Sequence, residues 1–440
     1  MPRVTLAPGN CASATWKVSE RMLPLSDAPR VPLPAFEQAR IERQLATITF
    51  TARLGLIAAL LMIEGSFQEL SRDSAQYHTR AIHIAASQYA TGNIHWDLWL
   101  DHGWQQLLGL VYHLFGPHLV IILLLNCLFV SMATVLIFRI GLEVFRSLQV
   151  AMLSAYVFTL FPSVVYYTAL PLKEASAVLA LSLIVWGTVQ VKTRSPQRGA
   201  IHIICGLAII SMLRLYLVYV CAVCVMVCLL PINLRGGWSG LIRLGTCGLA
   251  LCGVLVTLAV QLGVSTDQHE SLRYFDLDQI NDVRITLSSA GKSRFFNFEQ
   301  QDQSSAAFGH SIANDVTLVG KGLFFYLFSI DIFNLGRIRQ MAAIPEMLFF
   351  LYCIPYLYRG VLDGWKRFPE RLVPVLLMAL ALITVYSSAT TNMGAMYRWR
   401  MQSLPFLILL IAHGAHVRRT GILYEVMKKV TMRSSFQVAP

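Results

Sequence analysis

A few charged residues stand out against an otherwise apolar chain, and their types and spacing suit acid–base and phosphate chemistry. The stretch "SRDSAQYHTRAIHIA" (71–85) gathers Arg72, Asp73, Tyr77, His78, Arg80 and His83 just past the first long apolar run. A carboxylate at that place can accept the proton of an acceptor hydroxyl as a general base. An Asp beside Arg72 in a solvated loop is the plainer alternative.

Glu174 follows Lys173 in "LFPSVVYYTALPLKEASAVLAL", after a turn bracketed by Pro162 and Pro171. An acid at a helix N-terminus is favourable in itself, and a Lys–Glu pair at an apolar helix end can anchor a membrane boundary. Charges at membrane depth, however, are usually functional, and two carboxylates facing one cavity are an acid–base arrangement. Arg214 interrupts "ISMLRLYLVYV", where a guanidinium costs about 2.5–3.5 kcal/mol to insert. It therefore needs Glu174, Asp73 or a phosphate as partner, or must snorkel to the surface.

Arg398 and Arg400 precede the last apolar run in "NMGAMYRWRMQSLPFLILL". In an extended segment the two share a face and can fork onto a phosphate or diphosphate; simple anchoring is the alternative. His95, Asp97, Asp101 and His102 in "HWDLWLDHGW" add further polar candidates. Their spacing fits no specific ligand motif, so no metal site is assigned and a divalent metal is left open. Cys221 and Cys224 form a C-x-x-C inside "LVYVCAVCVMVCLLP", which reads as helix packing, and no disulfide framework is visible. "SSAGKS" (288–293) imitates a phosphate loop, but the first glycine of that motif would fall at Thr286.

The elements that must position these residues follow from composition. Of 440 residues 55% are hydrophobic and 14% charged, with a mean hydropathy of +0.57; a soluble domain carries roughly 25% charged residues. Continuous runs such as "HLVIILLLNCLFVSMATVLIF" oppose the ~10-residue alternation of a transmembrane β-barrel. The expected class is an all-α polytopic membrane protein. The net charge of +12 points to basic inner loops and to the lipid bilayer as partner, not to nucleic acid.

Ten spans are expected near 46–64, 118–138, 149–167, 174–190, 200–213, 215–230, 243–263, 342–358, 370–387 and 402–417. With both termini cytoplasmic, Lys and Arg concentrate in the inner segments, provided that 103–116 does not cross. That stretch is too short to span and reads as an amphipathic interfacial helix. The division is then a tail (1–45), a membrane domain (46–417) with a first outer loop (65–117) and a large outer loop (264–341), and a basic tail (418–440). No cleavable signal peptide is visible.

Four stretches together resemble the GT-C class of membrane glycosyltransferases, particularly its protein O-mannosyltransferase-like branch. They are "DSAQYHTRAIHIAASQYATG", "LLGLVYHLFGPHLVIILLLN", "LFPSVVYYTALPLKE" and "NMGAMYRWRMQSLPFLILLIAHG", spread over roughly residues 45–417. The resemblance implies ten or so spans with interfacial helices on one face. It implies Asp73 as catalytic carboxylate and Glu174 as the second-loop acid, with Arg398 and Arg400 on a lipid-linked phosphate and Arg214 assisting. Tyr77, His78, Lys173, Asp101 and His102 complete the residues expected at the substrate. The implied reaction takes a sugar from a polyprenyl-phosphate donor to a glycan, lipid or protein acceptor on the outer face of a bacterial plasma membrane. Polymerisation of lipid-linked oligosaccharide repeats and non-enzymatic transport are the alternatives.

Overall fold

The computed structural model describes residues 34–64, 72–95, 99–230, 320, 322–324, 326–327, 344–389 and 393–436. The expected span 243–263, most of the loop 264–341 and Asp97 lie outside them. Among the described residues 90% are helical and there is no strand.

The long elements follow the apolar runs. Helix α1 (Ala35–Glu64) leads to the short α2 (Arg72–Ile84), extended by a single wide π turn at Ala85–Tyr89, and then to α3 (Trp99–Phe115). After them come α4 (Leu119–Phe145), α5 (Leu148–Leu160), α6 (Pro162–Thr168) and α7 (Glu174–Thr193). Next are α8 (Pro196–Leu213) and α9 (Leu215–Leu229). Beyond the undescribed stretch stand α10 (Ile344–Arg367), α11 (Pro369–Ala389), α12 (Met393–Arg418) and α13 (Ile422–Phe436).

Five helices are long and apolar enough to cross a membrane, or up to seven if each bent pair is one span. The pair α5–α6 bends by 57° and the pair α12–α13 by 96°. Ten spans are thus not reached among the described residues. Helix α9, with 15 residues, falls short of the ~20 a crossing needs, and α10 is not among the candidates.

The outward faces explain the association with a bilayer. Val120, Leu124, Leu128 and Met132 form an exposed stripe along α4, at the four-residue spacing that keeps one helix face aligned. Ile201 and Ile204 on α8, and Leu351 and Ile354 on α10, add exposed apolar surface. Helix α7, by contrast, is buried nearly all round. Its approach to α8 depends on small residues: a Cβ on Gly199 would lie 2.6 Å from the Gly187 carbonyl oxygen.

Helices α2 and α3 pack on each other and α3 reaches α8. Trp104, Leu108 and Tyr112 of α3 and Ala81 of α2 enter the main core. A helix covers the expected stretch 103–116 as far as Phe115, as part of α3, which begins at Trp99.

Candidate functional site

The loop between α6 and α7 is fixed first. Asn126, buried on α4, donates to the carbonyls of Leu170 (2.7 Å) and Leu172 (3.0 Å); the first also accepts from the Leu172 amide at 2.8 Å, so it is the Leu172 carbonyl that depends on Asn126. The loop delivers Lys173 and Glu174 to the start of α7. Lys173 turns toward the α8–α9 junction, where its Nζ donates to the Leu213 carbonyl at 2.8 Å.

That junction is one residue long. Arg214 is extended (φ −161°, ψ 97°) between α8 and α9, so the helix is broken at this one residue. Its Nη2 lies 3.5 Å from Glu174 Oε1, both side chains being buried (7% and 2% exposed). Nη1 donates to the Tyr386 hydroxyl at 3.0 Å, and Tyr386 donates onward to Gln402 Oε1. The guanidinium also stands over the Tyr386 and Trp399 rings, 5.7 and 5.2 Å from their centres. The insertion cost of Arg214 is thus offset by the Glu174 carboxylate, by the phenols of Tyr386 and Tyr216, and by two aromatic faces. Glu174 Oε2 is buried and has no hydrogen-bond partner.

A second ion pair lies beside the first and nearer the surface. Asp73, in the first turn of α2, accepts from Arg398 on α12, with 39% and 20% of the side chains exposed. Tyr77, one turn on from Asp73, ties the two pairs together: Glu174, Asp73, Arg398 and Arg214 all act on its hydroxyl. Burial, together with the two carboxylates, pushes that hydroxyl up to about 12. It stays a neutral donor at physiological pH.

Four of the expected residues therefore meet with Tyr77 at one end of the bundle, and Lys173 adjoins them. The others are placed differently. Residues 393–400 are helical rather than extended, so Arg398 and Arg400 project about 200° apart and do not share a face. Arg400 is buried against Glu346 (2.5 Å) and donates to the Leu327 carbonyl at 3.2 Å. His78 turns toward α3, its Nδ1 2.7 Å from the Tyr112 hydroxyl, and burial lowers its affinity for a proton. His102 is exposed on the first turn of α3, where Asp101 also sits.

Tyr386, Trp399 and Gln402 belong to the network but are uncharged residues inside apolar helices, where nothing in the sequence separates them from ordinary packing. Arg53 is buried within α1 and stands out by the same insertion penalty that marks Arg214.

The arrangement holds two carboxylates against two guanidiniums, with Lys173 as a further cation nearby. That surplus of positive charge suits a phosphate. Among the described residues no group of three or more His, Cys, Asp and Glu converges on one point.

Compared with known proteins, the chain matches no family model and no curated sequence.

Proposed function

We propose that the protein is a membrane glycosyltransferase that moves a sugar from a polyprenyl-phosphate donor to a hydroxyl acceptor. The observation that carries this reading is the pairing of Arg214 with Glu174 and of Arg398 with Asp73 at neighbouring places, close enough that all four charges act on Tyr77. Four ionised side chains from distant parts of the chain are costly to assemble beside an apolar core unless they act together. The GT-C-like pattern of the sequence supports the same reading.

In this mechanism the donor phosphate takes Arg398 from Asp73, with Arg214 and Lys173 close behind. Asp73, so released, accepts the proton of the acceptor hydroxyl. The hydroxyl oxygen bonds to the anomeric carbon as the bond from that carbon to the phosphate oxygen breaks. The electron pair leaves on the phosphate, whose added charge the guanidiniums offset. Glu174 keeps Arg214 aimed at the site. The site then faces the outer leaflet, with both termini in the cytoplasm and the basic segments inside.

A second reading has a specific basis. Arg214 and Arg398 both act on Tyr77, and two guanidiniums suit a diphosphate as well as a monophosphate; the enzyme would then polymerise lipid-linked repeats.

The test is sugar transfer by purified protein in lipid from a panel of polyprenyl-phosphate and polyprenyl-diphosphate donors, with Asp73→Asn alongside. Transfer abolished in a folded variant supports the reading, and the donor consumed separates its two forms. Full activity in Asp73→Asn removes the proposed base. Substrate uptake into sealed vesicles without any transfer would instead identify a transporter.

A further inference from the structure

At the opposite end of the bundle a cavity of about 150 Å³ opens between α1, α4 and α7, lined by Gln38, Arg139, Glu143, Trp186, Gln190 and Arg194. Gln190 is sixteen residues beyond Glu174 on α7, about 24 Å along the helix at 1.5 Å per residue, so this cavity is separate from the site of Tyr77.

Its walls are polar and incompletely paired. Trp186 is 5% exposed, yet among the described residues its indole nitrogen has no hydrogen-bond partner. Buried polar groups are rarely left unmatched, so an unpaired N–H donor on the cavity wall points to an occupant that accepts. Charge defines its sign. Arg139 pairs with Glu42, and Glu143 receives Arg194 at 2.6 Å and Arg371 at 3.9 Å. Of the charged residues that line the cavity, Arg139 and Arg194 are cations and Glu143 is the one anion, and Arg194 remains 60% exposed at the mouth.

Size narrows the class. Pockets for organic ligands run to ~300–1,000 Å³, and this cavity, at about 150 Å³, is of a size for a small group such as a phosphate. Guanidinium, indole and amide N–H groups are the donors a phosphate takes, and Glu143 is already neutralised.

We propose that this cavity binds a phosphate group, supplied either by the headgroup of an anionic phospholipid or as free phosphate. The proposal is independent of the glycosyltransferase reading.

The test uses the full chain in phosphatidylcholine nanodiscs. Indole emission and the thermal midpoint are followed with added inorganic phosphate in one arm and with phosphatidylglycerol in the discs in the other. Trp186→Phe isolates the signal of that indole. We expect a change in Trp186 emission and a raised midpoint in at least one arm, with apparent affinity weakened about tenfold or more in Arg194→Gln, which loses a charge-assisted bond. Arg194 is largely exposed and Glu143 keeps Arg371, so this variant retains the fold; Gln190→Leu, which fills the cavity, provides a second loss. A response to phosphate identifies the free ion, and a response to phosphatidylglycerol alone identifies the headgroup. No response in either arm, or an equal response in both variants, overturns the proposal.

Discussion

Arg53 and Glu346 bracket the break in the α5–α6 span from its two sides, each with the charge its helix end requires. Arg53 Nη1 donates at 2.5 Å to the carbonyl of Thr159, at the C-terminal end of α5, and its Nε donates to the Thr168 hydroxyl at 3.3 Å. Glu346 Oε1 accepts at 2.5 Å from the amide of Ser163, in the first turn of α6. A helix break leaves carbonyls unpaired on one side and amides on the other, with the helix dipole favouring a cation at the first and an anion at the second. The bend carries the chain into the 169–173 loop, and so into Lys173 and Glu174. The two residues shape the site without entering it.

Glu346 is in turn held by Arg400, and both are almost fully buried. Removing one partner leaves an uncompensated charge, which costs ~3–5 kcal/mol. Arg400→Met and Glu346→Gln should each lower the unfolding midpoint in detergent strongly. The double variant Arg400→Met/Glu346→Leu should lose less than the sum of the two, because the buried charge is then gone. Additive losses would remove the pairing from the account.

Arg398 should behave differently. It is partly exposed and faces Asp73, so Arg398→Gln should leave the midpoint nearly unchanged while impairing transfer. A proton-transfer group contributes roughly 10²–10⁴-fold, and Asp73→Asn should fall in that range. Residues that act as a unit are not additive, so the double variant Asp73→Asn/Arg398→Gln should be little slower than Asp73→Asn alone. Steady-state kinetics on the four proteins decides this. Multiplicative losses would mean that the two side chains act separately.

The site was partly legible in the sequence. Asp73 stands out just past the first apolar run, Glu174 at the start of another, Arg398 just before the last, and Arg214 by its insertion cost inside a run; the structure gathers all four. Arg53 carries the same signal inside the first expected span and shows that an isolated guanidinium also serves a helix break. Arg398 and Arg400 look equivalent two residues apart, yet the helical period sends them to different partners. Spans were less legible than their apolar runs. Pro162 and the buried Glu346 split one run into α5 and α6, whereas the break at Arg214 between α8 and α9 falls where the expected spans 200–213 and 215–230 divide.

Asn126 offers a test of the loop alone. Its two bonds to Leu170 and Leu172 are made in a fully buried place, and an unmatched buried carbonyl costs ~1–3 kcal/mol. Asn126→Leu should destabilise by that order. Under the proposed function it should also slow transfer more than Arg400→Met does at equal stability, since it loosens Glu174. Unchanged kcat in a destabilised Asn126→Leu would show that the loop does not position the acid.

Tyr77 provides a pH signature that needs no substrate. Its hydroxyl ordinarily ionises at 10.0 and is pushed up to about 12, chiefly by burial and then by Glu174 and Asp73. The folded protein therefore holds the proton more tightly than the unfolded chain does. The resulting stability is fully present below pH 10.0 and is lost as pH rises through about 12. Tyr77→Phe has no proton to hold. Its unfolding midpoint should accordingly fall less than that of the natural protein across this window, with the difference between the two proteins constant below it. Thermal unfolding over a pH series in detergent measures both curves. Parallel curves throughout would mean that Tyr77 ionises as readily in the folded protein as in the unfolded one, and would take the hydroxyl out of the charged cluster.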